Sequence, residues 1–338
     1  MITFDDLAVR LALPAIAAPM FLVSGPELVT AACLSGVIGA FPTINARTPE
    51  ELADWLVRIE ADLAGRTCPS TGQRPAPVAA NLIVQRGNSR TLSDLAVLCE
   101  HPTEIVITSV GSPADVIEPL HAAGSLVFAD VASLRHAHRA VEAGADGLIL
   151  LAAGSGGQTG WANPFAFVRA VREFFDGTLV LAGGIGDGVA VRAAITLGAD
   201  LAYLGTRFLA TTESMAAPGH KDMVTESSLD DVTLTSAVTG LPANLLRSSL
   251  EAYGVDIAAL KQAAPGESIA TMLRDNGDKP RNWLDIWGAG HSTSAVRDIP
   301  TVADLTERLV GEYRAASQPE GSVHRATEQV YRPAVTSP

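Results

Sequence analysis

Three glycine-rich runs in this 338-residue chain combine residue types suited to holding an anion: LLAAGSGGQTG at 150–160, LVLAGGIGDG at 179–188 and LAYLGTRF at 201–208. Each begins with a short apolar stretch. Glycine lets backbone N–H groups approach an anion closely, and the start of a following helix adds a favourable dipole, so two adjacent loops of this kind can cradle a phosphate. A tight turn accounts equally well for any one of these glycines. Gly183 and Gly184 taken together with Gly205 and Thr206 favour the phosphate reading. A dinucleotide fingerprint is the competing use of such residues, but Gly154, Gly156 and Gly160 are spaced G-x-G-x-x-x-G, one residue too long, and follow five β/α units rather than opening the first.

The remaining candidates for chemistry are sparse. His136 and His138 lie two apart on an expected helix, hence on different faces, and make no metal pair. His101 and His121 fall near helix ends, where a surface role is expected. No H-E-x-x-H motif, acid cluster or Cys/His set is present, so no catalytic metal is expected. Cys33, Cys68 and Cys99 form no CxxC pair and read as small buried hydrophobes. Trp161 follows the first glycine loop and is a candidate wall of a substrate pocket.

The elements that must position these residues repeat. Eight apolar runs rich in Val, Ile, Leu and Ala, at 15–20, 36–41, 77–84, 105–110, 125–131, 147–152, 179–184 and 201–206, are each followed by a turn and a segment of helical spacing. Few alternate polar with apolar, as expected of strands buried on both faces. The segments TPEELADWLVRIEADL, SPADVIEPLHAAG, SLRHAHRAVEAGAD and DGVAVRAAITLGAD begin with a capping residue or acid. Three end at Gly124, Gly144 and Gly198, the residue that accepts the left-handed helix stop. The pattern predicts a (β/α)8 TIM barrel over residues 1–210, whose active site belongs at the carboxyl ends of the strands and whose phosphate site belongs at strands seven and eight. Residues 215–250 and 258–273 read as helices of an extension, 211–316, that caps the barrel mouth. The stretch 317–338 reads as an extended or disordered tail.

In that register the chain resembles the nitronate monooxygenases, formerly called 2-nitropropane dioxygenases. The resemblance rests on AAPM, the Asn in VAANL, GSGGQTG, LAGGIGDG, LGTRFLATTES, and Lys221 ahead of SSLDDVTLTSAVTGLPANLLR, in order over about 15–250. It implies bound FMN, with Pro19 and Met20 backing the isoalloxazine, Asn81 hydrogen-bonding it, and Gly156, Gly157, Gly183, Gly184, Gly205 and Thr206 around ring and phosphate. Asp130 closes strand five where related enzymes often place a flavin-contacting side chain; it either touches the cofactor or caps the next helix.

Two positions depart from the family pattern. Gln158 stands where members usually have the His of a GGH loop, and an amide donates hydrogen bonds but takes no proton. A nitronate is already ionised and needs no base, so its oxidation survives that change. In LDIWGAGHSTS, His291 stands where the family generally has Gln, so His291 either supplies the imidazole that Gln158 lacks or is a solvent-exposed loop residue. The resemblance implies an FMN-dependent oxidation of alkyl nitronates, or of similar small acidic carbon compounds, by O2. Its rivals are an NAD(P)H-dependent flavin reductase of the enoyl-thioester (FabK-like) or quinone type, and a flavin-binding barrel without catalysis.

Composition bounds the setting. The chain is 47% hydrophobic and 18% charged, with a net charge of −13, which disfavours nucleic acid and anionic lipid as partners. No apolar run reaches the roughly 18 residues of a membrane span, and the acidic N-terminus lacks the basic start of an export signal. A cytoplasmic enzyme that takes a small-molecule substrate and O2, and that forms a possible homo-oligomer, is expected.

Overall fold

The computed structural model describes residues 3–262 and 284–317. Among the described residues eleven strands are numbered in chain order: β1 Ala15–Ala17, β2 Ile38–Pro42, β3 Val78–Ile83, β4 Ile105–Ser109, β5 Leu126–Val131, β6 Gly147–Leu151, β7 Gly157–Gln158, β8 Thr178–Ala182, β9 Leu201–Leu204, β10 Val232–Thr235 and β11 Ala243–Leu246. β1–β6, β8 and β9 pair in parallel and in sequence order, and β9 returns to β1, so the ring closes as a barrel. All eight apolar runs of the sequence are barrel strands.

Each barrel strand is apolar on both sides because it meets two cores. Ile16, Ala79, Ile107, Phe128, Ile149 and Val180 fill the barrel interior, whereas Val106, Val127, Leu148, Leu179 and Ala202 face the helices outside. The helix Phe4–Ala8 contributes Leu7 to the interior cluster, and Phe4 meets the ring of Phe128 at 6.3 Å between centroids. This short helix fills the barrel from below, which leaves the carboxyl ends of the strands as the face that opens.

The outer helices start and stop as their sequences dictate. Thr48, Ser133 and Asp187 each accept the backbone N–H of the residue three further on. Ser112 lies one residue too early; Pro113 holds the cap position, without a side-chain bond. Gly144 and Gly198 end their helices in the left-handed conformation, at φ of 95° and 119°. The ring of helices is completed by Val302–Ala315, which packs on the helices Gly188–Leu197 and Pro26–Leu34, well past the division expected at residue 210.

The all-helical reading of 215–250 is corrected. Pro218–Glu226 and Arg247–Ala252 are helices, but between them β10 and β11 form an antiparallel hairpin, with Thr235 opposite Ala243. Val232, Thr233 and Thr235 are β-branched and favour the pleated conformation, and β11 finds a partner outside its own segment by pairing with β7. Of the expected helix 258–273, Ile257–Gln262 is helical and the rest lies outside the described residues, as does the expected tail beyond Ser317.

Candidate functional site

A cavity of about 750 Å³ opens at the carboxyl ends of the barrel strands, within the roughly 300–1,000 Å³ typical of small-molecule and cofactor sites. Its floor follows from strand parity. Side chains alternate in direction, so the residue two beyond an interior residue also points into the barrel. Asn81, Ser109, Asp130, Leu151, Ala182 and Tyr203 stand two beyond Ala79, Ile107, Phe128, Ile149, Val180 and Leu201, and all six line the cavity. Asn81 Nδ2 donates to the Ile107 carbonyl at 3.1 Å and to Ser109 Oγ at 3.0 Å.

Asp130 Oδ1 and the Tyr203 hydroxyl are buried without a hydrogen-bond partner among the described residues. Asp130 is therefore not a helix cap; Ser133 fills that role. Burial pushes the Asp130 carboxyl up to about 7, because the charged form is poorly solvated there. The Tyr203 phenol is raised well above its ordinary value, first by burial and then by the negative charge of Asp130.

The wall toward β8 and β9 is backbone. Gly183 sits at φ +120°, and a Cβ on it would lie 2.9 Å from the Ala153 carbonyl oxygen, so a larger residue is excluded twice over. Gly184, at φ +74°, faces open space. Thr206 Oγ1 accepts the Gly290 N–H at 2.9 Å, drawing the 288–292 turn over the strand tips. Pro19, Met20, Gly156, Gly157, Gly205 and Thr206 also line the cavity, so every residue expected around the cofactor is brought to one place.

Gln158 lines the cavity on β7, and the hairpin fixes it there. Ala243 of β11 is its register partner, Thr159 N–H donates to the Pro242 carbonyl at 3.1 Å, and Asn244 Nδ2 donates to the Ser155 carbonyl at 2.7 Å. The segment that read as a helical cap on the barrel mouth is, in part, a hairpin that holds the first glycine loop.

His291 is a correction. It is exposed and absent from the cavity wall; its backbone N–H donates to the Gly154 carbonyl at 2.9 Å and its ring lies against the Gly154 backbone. The 3-10 helix His291–Ala295 begins at that contact and carries the imidazole outward. The histidine that does line the cavity is His220, on the helix Pro218–Glu226. It stacks on Trp287 at 5.2 Å and its Nε2 lies 3.0 Å from the Gly288 carbonyl oxygen. Burial depresses it to about 4, outweighing the Gly288 carbonyl, so its imidazole is neutral at pH 7. Its neighbour Lys221 binds the carbonyls of Thr211 and Ser214 at 2.6 and 2.9 Å, stapling the loop that carries Met215, Ala216 and Ala217 into the cavity wall.

Two cavity residues have left-handed backbones without being glycine: Leu22 at φ 61° and Val110 at φ 59°. Such strain persists only where surrounding contacts over-determine it. At Leu22 they come from Asn45, whose Oδ1 accepts the Leu22 N–H at 2.9 Å while its Nδ2 donates to the carbonyls of Met20 and Ser24. Neither residue carries a sequence signal for that conformation. Trp161 is 82% exposed and does not line the cavity. Cys33 and Cys68 are buried as expected, but Cys99 is exposed.

The model of the family described as nitronate monooxygenase matches residues 73–312. A nitronate monooxygenase of Paraburkholderia phytofirmans is 29% identical over 65% of this chain, and the matched stretch spans 63% of that enzyme's length. An octahydroindene-carboxyl-CoA dehydrogenase of Rhodococcus jostii is 26% identical over 88% of this chain and 92% of its own. Among solved structures, nitroalkane oxidase from Streptomyces ansochromogenes superposes with a TM-score of 0.74 at 27% identity, covering 92% of this chain and 98% of that one. A family match over most of the chain, on a closed parallel barrel whose glycine loops meet at one cavity, places this protein in the nitronate monooxygenase family of flavin-dependent oxidoreductases.

Proposed function

We propose that the cavity binds FMN and that the protein oxidises alkyl nitronates, or similar small ionised carbon compounds, with O2. The observation that carries the cofactor assignment is the bare backbone at the tips of β8 and β9, facing a cavity whose floor holds two unpaired polar atoms. The N–H groups around Gly183, Gly184, Gly205 and Thr206 suit a phosphoryl group, which neutral donors hold well when converging from several loops. Pro19 and Met20 would back the ring system, and Asn81 and Asp130 would meet its polar edge. FMN, when bound, accepts electrons from the substrate and passes them to O2.

The chain's own part is to position and to exclude water. Gln158, held by the β11 pairing, donates its amide hydrogens toward nitronate oxygens and fixes the substrate. No group is needed to remove a proton from an anion that arrives ionised. Anaerobic mixing tests the reading: ethyl nitronate should bleach the flavin of the purified protein. Gln158→His should add turnover of neutral nitroethane to that of the nitronate; a variant equally inactive on nitroethane would deny Gln158 its place beside the substrate.

A second reading, oxidation or reduction of an acyl thioester, is favoured by the exposed apolar residues Phe21, Met215 and Leu241 on the cavity wall and by the Rhodococcus relative's name. Bleaching by NADH and reoxidation by an unsaturated thioester, with no response to the nitronate, would select it.

A further inference from the structure

Asp130 and Tyr203 enter the barrel three positions apart around the ring and face the same cavity, and the oxidation described above makes no use of their ionisation. Their unpaired atoms, Asp130 Oδ1 and Tyr203 Oη, are both sealed within the described structure. Asp130 thus brings to the cavity a carboxyl group whose Oδ1 has no hydrogen-bond partner among the described residues. The titratable residues lining the cavity are Asp130, Tyr203 and His220; no Lys or Arg lines it among the described residues. Nothing on the wall therefore holds Asp130 in its charged form. The rise of its carboxyl to about 7 has burial as its cause, with no contribution from a charge on β4, β6 or the outer helices.

We propose that Asp130 binds the flavin as a neutral carboxylic acid, donating its O–H to an acceptor on the flavin ring, so that flavin retention is lost as Asp130 ionises. This rests on the flavin assignment above and goes beyond it by naming a proton-linked step in cofactor retention. An ionised Asp130 offers only lone pairs to ring acceptors, and in a cavity without a cation that repulsion is not offset. A ligand that binds the protonated form alone has a Kd that is level below the carboxyl's own pKa and rises about tenfold per pH unit above it.

The test is release of FMN from the full-length holoprotein on dilution, followed by the return of free-flavin fluorescence from about pH 5.5 to about pH 8.5, a window chosen to bracket a group near 7. The wild type should show level affinity to about pH 7 and about a tenfold loss per unit beyond it. Asp130→Asn, which keeps a donor and cannot ionise, should match the wild type at the acid end and stay level. The ratio of the two proteins cancels ionisation of the flavin phosphate, which is common to both. Tyr203→Phe, which removes a hydroxyl sealed from the cavity, should keep the step. A level wild-type curve overturns the proposal without reference to any variant, and parallel wild-type and Asp130→Asn curves do the same. Failure of the wild type to take up FMN overturns both this proposal and the flavin assignment, whereas wild-type uptake with parallel curves overturns this proposal alone.

Discussion

His220 and His291 look alike in sequence: each is a single histidine near a glycine, with no partner at a diagnostic spacing. One is 7% exposed in the cavity wall and the other lies on the surface. The burial of His220 has a measurable consequence. Its folded value, about 4, lies below the 6.5 of an exposed histidine, so the unfolded chain binds the extra proton between those limits. The stability it provides is whole above about pH 6.5 and is lost as the pH falls toward 4; the shift corresponds to on the order of 3 kcal/mol. His220→Asn cannot take up that proton, so the unfolding free energy of the wild type should fall more steeply than the variant's between pH 7 and pH 4, as read by urea titration. Parallel slopes would show that the imidazole is not desolvated.

At the scale of elements, the site is held by pieces far away in sequence. Arg207, next to the β9 tip, pairs with Asp298 at 2.9 Å, and Arg308 of the final helix pairs with the same carboxylate at 2.7 Å. That helix crosses Gly188 so closely that a Cβ there would lie 2.2 Å from the Leu309 carbonyl oxygen and 2.4 Å from Tyr313 N. The Gly188 N–H also donates to Glu312 at 2.8 Å. Gly188→Ala should therefore force the two helices apart and destabilise by about 1–3 kcal/mol. Gly311, on the same final helix, has nothing within 4 Å of the corresponding position, and Gly311→Ala should stabilise by roughly 0.5–1 kcal/mol through helix propensity. Thermal unfolding of the pair checks both, and shifts of the same sign would contradict the packing argument.

For the whole molecule, the barrel is completed by both ends of the described chain: Phe4–Ala8 fills it from below and Val302–Ala315 closes its outer ring. Val302, Leu305 and Leu309 are at most 1% exposed and belong to the same core as β2, β6 and β8. Leu309→Ala should cost about 2–5 kcal/mol in chemical denaturation, the range for a core truncation that leaves a cavity. A loss under about 0.5 kcal/mol, typical of surface changes, would mean that the last helix is an appendage.

The eight barrel strands, their order, three of the helix caps and the glycine loops at the cavity were legible because each depends on residues near in sequence. A strand buried on two faces must be apolar throughout, and a left-handed stop needs glycine, wherever the rest of the chain lies. The β10–β11 hairpin was not legible, since each strand has four residues and β11 gains its partner from a loop some 85 residues earlier. Tertiary structure alone decided that His220 rather than His291 reaches the cavity, that Lys221 is a staple for a wall loop, and that Asp130 and Tyr203 share one floor. These are contacts between separate turns of the ring, fixed by barrel closure and by the direction in which a loop leaves its strand, and neither quantity is written in local spacing.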